Sequence, residues 1–490
     1  MRIIQLSINL VYGDGIGNTI ILMDRVISRY YETIIATKQL SDNYVEHPRI
    51  YIFSNINELD IQSDDIVIYH FGGKDSLGDE IIDIKCKRIV LYQNVTYPFF
   101  YNGIDSVVEK HCAEGQRYIR NTVGCFMKAI APSRFSCNEL VSMGWKESDV
   151  YDLPLPVFIS NKQQCIVNKT EGKRRFLFVG RIVPNKKIED VIRIFNYYRK
   201  NYYNNSYLTI VGSHNNDAYH SALIKYISSN DITNIEFLNH VSDEILEQVY
   251  LESDIYLCMS EHEGFCMPLI EAMSYRIPVV AYAATAVPDT MGSAGILVER
   301  KESRYVCDKI NRLFEDNQYY EEIIRLQSQH VNHYIRNDYE EELINIIEAV
   351  NNISEYEYDY SRFEFYKMLI DEIDIRNEEL LISQINRMVD TKNGIVIYGM
   401  GKAGKKMYNI LKRNHIEPKA ICDKGRAGEE LCGRIILSPS KCVSKYSKSL
   451  YIITVQDMTI ATKIFDDLVR LGVNKGGIVF CSMQNKRIFI

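Results

Sequence analysis

The stretch SEHEGFCMPLIEAM, from Ser260 to Met273, sets two carboxylates, Glu263 and Glu271, eight residues apart around a glycine and a proline. The apolar run Asp254 to Met259 before it predicts a buried parallel strand. Pro268 predicts the first position of a helix, where proline is tolerated. We therefore expect Glu263 on the loop between this strand and this helix, and Glu271 in the first helical turn.

A strand-to-helix junction of this kind is able to bind an anion. The helix start offers unpaired backbone N–H groups and the positive end of the helix dipole. A carboxylate beside it accepts hydrogen bonds from the paired hydroxyls of a sugar or a ribose. The pattern therefore indicates a nucleotide-sugar site, although spacing alone leaves open a helix start that carries favourable acidic residues and binds nothing.

Short apolar runs alternate with helix-like segments through most of the chain, a pattern typical of parallel sheets covered on both faces. The predicted class is α/β, with two Rossmann-like halves that face a cleft and bind a ligand at the carboxyl ends of their strands. The expected strands are Ile3–Asn9, Ile50–Ser54, Ile66–Phe71 and Arg88–Val95 in the first half, and Arg175–Gly180, Tyr207–Ser213, Ile235–Val241, Asp254–Met259, Pro278–Ala283 and Gly295–Val298 in the second.

The pattern Glu263-x7-Glu271, set in EGFCMPLIEAM, resembles the signature of retaining glycosyltransferases of the GT-B fold, specifically glycosyltransferase family 4 (glycosyl transferases group 1). The resemblance covers roughly residues 1 to 350. It implies a nucleoside diphosphate sugar as donor, a saccharide or lipid-linked saccharide as acceptor, and surface-polysaccharide or lipopolysaccharide assembly as the setting. It also implies that Glu263 lies near the transferred sugar, that Glu271 binds the ribose, and that Gly264, Phe265 and Cys266 contact the donor.

Two basic residues follow the first strand of the second half, in FLFVGRIVPNKK at residues 176–187. The fork of Arg181 is able to bond a pyrophosphate oxygen, and Lys186 adds a point charge, so the pair would stabilise a departing nucleoside diphosphate. By themselves such residues often only solvate a helix start. In the family resembled, an Arg and a Lys at this spacing hold the donor diphosphate.

A metal ion is not expected to assist the reaction. The sequence contains no D-x-D triplet, the carboxylate motif with which many enzymes hold a cation on a nucleotide-sugar diphosphate. We therefore expect Arg181, Lys186 and the helix start near Pro268 to neutralise the leaving group, with no metal and no cofactor required.

The amino-terminal loop VYGDGIGN, residues 11–18, follows the first strand and predicts a helix that begins at Asn18. Its glycines allow close backbone approach to a phosphate or sugar, but a tight turn without a ligand explains them equally well. The resemblance implies that Gly15 and Gly17 contact the donor phosphate and the acceptor. This loop matches a minority form of the family pattern.

Three further positions carry expected contacts because of the resemblance. His70, at the end of the strand IVIYH, would contact the donor sugar near the reaction centre; a lone histidine there is otherwise more often structural. Gly212 and Val241 would contact the nucleotide base, largely through backbone groups. Asp289 stands in a Pro-Asp pair where the family usually has Pro-Glu.

The carboxyl-terminal sequence GIVIYGMGKAGKKMYNIL contains Gly399-x-Gly401-x-x-Gly404 between a strand and a helix, and Asp423 ends the next strand. This context predicts a small additional Rossmann-like domain. Two interpretations stay open, a structural or docking module and a nucleotide-binding loop. An NAD-dependent oxidoreductase is disfavoured, because the sole Y-x-x-x-K, Tyr408 to Lys412, falls on the helix that follows the glycine loop.

The expected domains are 1–158 (acceptor half), 172–330 (donor half), 331–350 (crossover helix), 351–390 (helical connector) and 391–490 (additional Rossmann-like domain), with a polar linker at Ser160–Lys173. The last of these carries 18 Lys and Arg against 7 Asp and Glu, whereas residues 299–390 carry 11 against 22. The basic module would therefore face an anionic lipid or acceptor, or dock on the acidic segment before it.

Composition places the 490-residue chain among globular proteins, with 46% hydrophobic and 25% charged residues. The absence of an apolar run of membrane-spanning length or a signal peptide predicts a cytoplasmic protein, with peripheral contact at the inner membrane face left open. Twelve cysteines without a CxxC pair predict reduced thiols and no structural zinc site. No nucleic-acid partner is expected. A catalytically silent glycosyltransferase-like subunit is the remaining alternative, disfavoured because all four charged residues of the site are present.

Overall fold

The computed structural model describes residues 1–41, 49–157, 172–214, 217–335, 338–354, 356–389, 394–431, 433–455, 458–482 and 487–489. Apart from Gly172 and Lys173, the expected linker lies outside these residues. The chain forms two compact units, Met1–Phe363 and Glu364–Ile490. No helix within the described residues is long and apolar enough to cross a membrane.

The first unit begins with a seven-stranded, all-parallel sheet in the order β3-β2-β1-β4-β5-β6-β7. The order reverses between β1 and β4, and such a reversal opens a crevice at the carboxyl ends of the two strands. The strands are β1 (Arg2–Leu10), β2 (Glu32–Leu40), β3 (Ile50–Ile52), β4 (Ile66–Phe71), β5 (Lys87–Tyr92), β6 (Lys128–Ala131) and β7 (Val150–Asp152); the helices are α1 (Gly15–Ile27), α2 (Ser76–Ile82), α3 (Ser106–Asn121) and α4 (Arg134–Ser142).

A second parallel sheet of six strands follows in the order β10-β9-β8-β11-β12-β13. Its order reverses between β8 and β11, so the segments after these two strands meet at one crevice. The strands are β8 (Arg174–Val179), β9 (Ser206–Val211), β10 (Ile235–Leu238), β11 (Ile255–Cys258), β12 (Val279–Tyr282) and β13 (Ile296–Val298); the helices are α5 (Ile188–Asn201), α6 (Asp217–Ser229), α7 (Asp243–Glu252), α8 (Met267–Ser274), α9 (Val287–Met291), α10 (Ser303–Glu315), α11 (Asn317–Ile335) and α12 (Asp338–Asn351).

Helix α12 lies against the first sheet although it follows the second in sequence. Glu340 accepts hydrogen bonds from Arg29 (2.6 Å) and from the Tyr30 hydroxyl (2.8 Å). Apolar residues of α12, such as Leu343 and Ile347, are fully buried in a core that also includes residues of both sheets. Burial of this shared core holds the two sheets of the unit together.

Residues 356–360, part of the expected helical connector 351–390, run along the first sheet and are not helical, whereas residues 361–389 of that connector form a helix. The Tyr358 hydroxyl donates to the Cys86 carbonyl (2.8 Å), and the Tyr360 hydroxyl accepts from Arg88 (2.8 Å). Arg88 is fully buried, with its guanidinium 4.0 Å from the Tyr358 ring centroid. The tyrosine-rich segment therefore covers a buried cation that also binds the last carbonyls of α2.

The second unit contains all but the first three residues of helix α13 (Ser361–Val389). It also contains a five-stranded sheet in the order β15-β14-β18-β19-β20. All pairs are parallel except β19 with β20. The strands are β14 (Ile395–Tyr398), β15 (Ala420–Cys422), β18 (Leu450–Ile453), β19 (Ile478–Ser482) and β20 (Arg487–Phe489), with the hairpin β16 (Glu430–Leu431) and β17 (Arg434–Ile435); the helices are α14 (Lys402–Arg413), α15 (Pro439–Tyr446) and α16 (Met458–Arg470).

The predicted α/β class with parallel sheets is confirmed, and the differences lie at element ends. The first helix begins at Gly15 and not at Asn18, because the Asp14 side chain accepts from the Gly17 N–H (2.5 Å) and caps the helix earlier. Helix α8 begins at Met267, so Pro268 occupies its second position and Glu271 falls past the first turn. Strand β5 ends at Tyr92, short of the expected Val95.

Candidate active site

The loop between β11 and α8 lies at the strand-order reversal of the second sheet. Cys266 caps α8 in the left-handed region, with φ 74°, and turns the chain sharply into the helix. A side chain at Gly264 would collide with Asn94, since a Cβ there would lie 2.5 Å from the Asn94 Cβ. The Gly264 carbonyl accepts from Ser133 (2.8 Å). This loop therefore packs directly against the first half.

Lys186 and Glu263 form the central ion pair of the site. The Lys186 Nζ lies 2.6 Å from both carboxylate oxygens of Glu263, whose side chain is only 6% exposed. Burial acts to lower the pKa of Lys186, but the Glu263 charge and the nearby thiols outweigh it, and the pKa is raised. The ammonium is therefore charged at neutral pH, and the two partners come from the two segments that meet at the strand-order reversal.

Arg181 follows β8 on the same segment as Lys186, is exposed, and within the described ranges forms no hydrogen bond or ion pair. Its charge acts to lower the pKa of Asp14, although burial dominates there and raises that pKa. Residue 212 has to be a glycine, because a Cβ on Gly212 would lie 2.0 Å from the carbonyl oxygen of Gly180, the residue before Arg181. A free guanidinium at a strand-order reversal is available to an anionic ligand.

The amino-terminal glycine loop touches the second half at three points. The Tyr12 hydroxyl donates to Asp243 (2.5 Å). A Cβ on Gly13, which has φ +76°, would lie 2.7 Å from the His240 ring, and one on Gly15 would lie 3.1 Å from Met267. Gly17 donates its N–H to the Asp14 cap. The loop therefore closes over the crevice next to α8 and the segment after β10.

His70 is 2% exposed and is held on both sides of its ring. Gln93 Nε2 lies 3.4 Å from Nδ1 and donates to it, so the proton of the neutral ring is on Nε2, which donates to Gln5 Oε1 (3.0 Å). Burial lowers the pKa of His70 to about 3. The structure places this residue beneath the crevice surface, where contact with a sugar would require one of these two bonds to open.

The other expected contact residues are distributed around the same crevice. Glu271 accepts a hydrogen bond from the Tyr250 hydroxyl (2.8 Å), and burial raises its pKa. Val241 is half-buried directly after β10. The Phe265 side chain points into the core, where its ring lies 6.1 Å from that of Tyr334. Glu271 therefore has a fixed orientation, and Phe265 anchors the loop.

Sequence reasoning missed His262 and Cys258 at this site, and it named Asp289 without a contact. His262, 2% exposed, makes an edge contact with Tyr97 at 4.3 Å between ring centroids, and burial lowers its pKa to about 4. Asp289 accepts from the Phe135 N–H (2.7 Å) and so binds the start of α4 from across the cleft. Cys258 lies beside Cys266 and Glu263. A linear pattern does not reveal the contacts of His262 and Asp289, because each joins distant segments; Cys258 meets Cys266 only through the sharp turn at the start of α8.

The glycine loop of the second unit is satisfied internally. Asp423 accepts from the N–H groups of Met400 and Gly425, both at 2.9 Å. A Cβ on Gly404 would lie 1.9 Å from the Gly399 carbonyl oxygen, so close packing of helix on strand explains that glycine. A Cβ on Gly401 would meet nothing within 4 Å. The loop has the Rossmann shape, but its carboxylate is already engaged by the loop's own backbone.

Comparisons with known proteins agree with this architecture. Residues 160–329 match the model of the family "Glycosyl transferases group 1". The chain is 28% identical over 141 residues to the capsular polysaccharide biosynthesis glycosyltransferase CapM of Staphylococcus aureus, a match that covers 28% of this chain and 36% of that protein. It is 31% identical over 87 residues to O-antigen chain mannosyltransferase B of Escherichia coli, covering 18% of this chain and 23% of that protein.

Solved structures resemble about 70% of the chain. The crystal structure of Anabaena HepE in complex with UDP and glucose superposes with a TM-score of 0.56 at 15% identity, covering 71% of this chain and 100% of that one. WaaG, a glycosyltransferase involved in lipopolysaccharide biosynthesis, gives a TM-score of 0.53 at 12% identity, covering 70% and 99%. Residues 160–329 therefore belong to the glycosyl transferases group 1 family, within a two-sheet unit that has the GT-B fold.

Proposed function

We propose that the protein is a retaining glycosyltransferase that moves a sugar from a nucleoside diphosphate sugar to a saccharide or lipid-linked saccharide. The observation that carries the proposal is the buried Lys186–Glu263 pair, with both bonds at 2.6 Å, together with the exposed Arg181, at the strand-order reversal of the second sheet. The proposal assigns the donor diphosphate to these two cations and the start of α8.

In this proposal the charge that develops on the leaving diphosphate is stabilised by Arg181, Lys186 and the N–H groups at the start of α8. Glu263 accepts hydrogen bonds from hydroxyls of the transferred sugar, and Glu271, oriented by Tyr250, accepts those of the ribose. The leaving phosphate takes the proton of the acceptor hydroxyl on the face from which it departs, which retains the anomeric configuration. Neither carboxylate acts as a nucleophile.

The remaining expected residues are assigned roles around this centre. Backbone groups at Gly15 and Gly17 contact donor phosphate and acceptor, and those at Gly212 and Val241 contact the base. Gly264, Phe265 and Cys266 hold the catalytic loop in contact with the donor. His70 contacts the sugar after exchanging its bond to Gln5 for one to a sugar hydroxyl, because the Nε2–H that now donates to Gln5 Oε1 is then free to donate to the hydroxyl oxygen.

The substrate class is inferred from the named relatives. CapM takes part in capsular polysaccharide biosynthesis, and the Escherichia coli relative acts on the O-antigen chain, so a surface polysaccharide or lipopolysaccharide is the proposed product class. HepE was crystallised with UDP and glucose, which makes UDP-glucose the first donor to test. Peripheral contact with an anionic inner membrane face is part of the proposal.

For the second unit we assign a structural or docking role to the module at residues 391–490. The engaged Asp423 and the packing reason for Gly404 support this over dinucleotide binding. Basic residues in this module outnumber acidic ones by 18 to 7, so an anionic partner surface is the proposed docking chemistry.

A donor panel tests the function directly. The protein is incubated with UDP-, GDP- and other nucleotide sugars in the presence of EDTA, and release of the nucleoside diphosphate is followed by mass spectrometry. We expect one donor to be hydrolysed or transferred with EDTA present, with the product anomer retained by NMR. Loss of release in EDTA, restored by Mg²⁺, would refute metal independence; no release from any donor under either condition would favour the silent-subunit alternative.

A further inference from the structure

Two thiols and a carboxylate converge under the catalytic loop. One ligand atom each from Cys258, Glu263 and Cys266 lies within 4.8 Å of the others, and all three residues are buried. Cys258 ends strand β11, Glu263 lies on the loop, and Cys266 caps α8. The left-handed backbone of Cys266, with φ 74°, returns the chain so that its sulfur reaches the strand end.

One of these three groups is already paired with a cation. The Lys186 ammonium lies 2.6 Å from both oxygens of Glu263. A metal at this point therefore has to compete with that ammonium for the carboxylate. A soft divalent ion would bind thiolates far better than an ammonium group does, because thiolate sulfur is the preferred ligand of such metals.

Both sulfurs of this cluster are buried, Cys258 at the end of β11 and Cys266 at the start of α8. Ser260 adds a contact to the Cys258 sulfur at 3.3 Å. Because a metal needs both sulfurs as thiolates, its binding would release protons and strengthen as pH rises.

We propose that Cys258, Glu263 and Cys266 form a binding site for a thiophilic divalent cation such as Zn²⁺, and that its occupation switches off the donor site. Zinc bonds of about 2.3 Å to sulfur and about 2.0–2.2 Å to oxygen place tetrahedral ligands within about 4 Å of one another, so a small contraction of the cluster suffices. The metal binds the Glu263 carboxylate in place of Lys186. The ammonium is thereby displaced from the position in which it would contact the donor diphosphate.

The binding claim is tested by titrating the full-length reduced protein with Cd²⁺ and following the ultraviolet charge-transfer absorption of cadmium thiolate. We expect one high-affinity Cd²⁺ per chain, with Zn²⁺ competing for it. The affinity should rise between about pH 6.5 and 8, because the sulfurs bind the metal as thiolates. Cys258→Ser and Cys266→Ser should each weaken binding by more than the roughly 10–100-fold typical of an outer-shell partner. Glu263→Gln should weaken it less, because both sulfurs remain.

The matched control is Cys442→Ser in the second unit. Cys422 and Cys442 are a hydrogen-bonded thiol pair, but no His, Asp or Glu among the described residues joins them in a three-ligand group. We expect this variant to bind Cd²⁺ as the unmodified chain does. If Cys442→Ser abolishes the signal, or if both Cys258→Ser and Cys266→Ser keep it while remaining folded by circular dichroism, the site is wrong.

The inhibitory part rests on the proposed glycosyltransferase function and has its own readout. The test uses the donor found to be active and the Zn²⁺ concentration that saturates the competition with Cd²⁺. Transfer should fall by about tenfold or more, because Lys186 and Glu263 no longer bind the donor. A chelator should restore transfer. Saturating Zn²⁺ with transfer unchanged would overturn inhibition while leaving binding intact. An inactive chain that still binds Cd²⁺ would instead count against the proposed function.

Discussion

Two of the strand-order reversals in the described sheets differ in chemistry. At β8 and β11 the loops carry Arg181, Lys186 and Glu263, and the guanidinium has no ion-pair partner among the described residues. At β14 and β18 the glycine loop after β14 donates a backbone N–H to Asp423, which follows the neighbouring strand β15. The difference teaches that a Rossmann-type crevice becomes a candidate site through the charges left available there, and not through its glycines.

The largest effect is expected for Lys186→Met. Transfer should fall by about 10²–10³-fold because the leaving diphosphate loses a cation. Unfolding free energy should also fall by about 3 kcal/mol, because Glu263 is left buried and unpaired. Trp145, the single tryptophan, is buried in the first unit and reports urea unfolding of that unit by fluorescence.

Lys187→Met is the matched control for that change. Lys187 is the next residue, and its ion pairs with Glu189 and Glu261 are longer, at 3.7 and 3.4 Å, and more exposed. Transfer and stability should stay close to those of the unmodified chain, within about 0.5 kcal/mol. Equal losses in the two variants would contradict the special role of the buried pair.

Glu263→Gln separates sugar contact from nucleotide binding. Turnover should fall by about 10²-fold, because the amide binds sugar hydroxyls less strongly than the carboxylate does. Affinity for the free nucleoside diphosphate, measured by calorimetry, should remain. A fully active Gln variant would refute the assigned role.

Arg181→Gln should change binding without changing stability. Loss of a charged hydrogen bond to the diphosphate should weaken nucleotide affinity by about 1.5–3 kcal/mol. Because Arg181 is exposed and unpaired within the described residues, urea unfolding should shift by less than about 0.5 kcal/mol. Unchanged nucleotide affinity would place the diphosphate elsewhere.

At the second reversal, we expect Asp423→Ala to change stability without changing ligand binding, the reverse of Arg181→Gln. Two backbone N–H groups lose their acceptor, so the loop at residues 399–404 should be destabilised by about 1–2 kcal/mol, seen as faster hydrogen exchange in peptides that cover it. Transfer should be unaffected. If the change weakens nucleotide-sugar binding while exchange stays the same, Asp423 binds a ligand and the contrast between the two crevices fails.

The smallest expected effect is the loss of stability of the first unit as the pH falls. His70 has its pKa lowered by burial to about 3, so between pH 6.5 and 3 the unfolded chain binds a proton that the folded chain does not. Stability contributed by the neutral ring is therefore lost as pH falls. From pH 7.5 to 5.5 the loss should be about 1.4 kcal/mol, and His70→Gln should lose that much less, by Trp145 fluorescence in urea. Parallel pH profiles would contradict the buried neutral state.

Sequence patterns predict the residues of the crevice in the second sheet, because these residues follow strands whose apolar runs are continuous. The patterns assign Glu263 and Lys186 to one cleft, and the structure places them 2.6 Å apart. The patterns do not place Cys258 beside Cys266, since the left-handed backbone of Cys266 itself turns the chain back toward the strand end. Nor did they give the bond from Phe135 to Asp289, because such contacts depend on how two separate sheets pack.

The most direct test of the central claim is calorimetric titration of a nucleoside diphosphate, UDP first and then GDP, into the full chain in EDTA. The account predicts that one of them binds the unmodified protein, that Arg181→Gln and Lys186→Met each lower the affinity, and that Asp423→Ala does not. Binding that survives both cation variants, or that is lost only with Asp423→Ala, would contradict it.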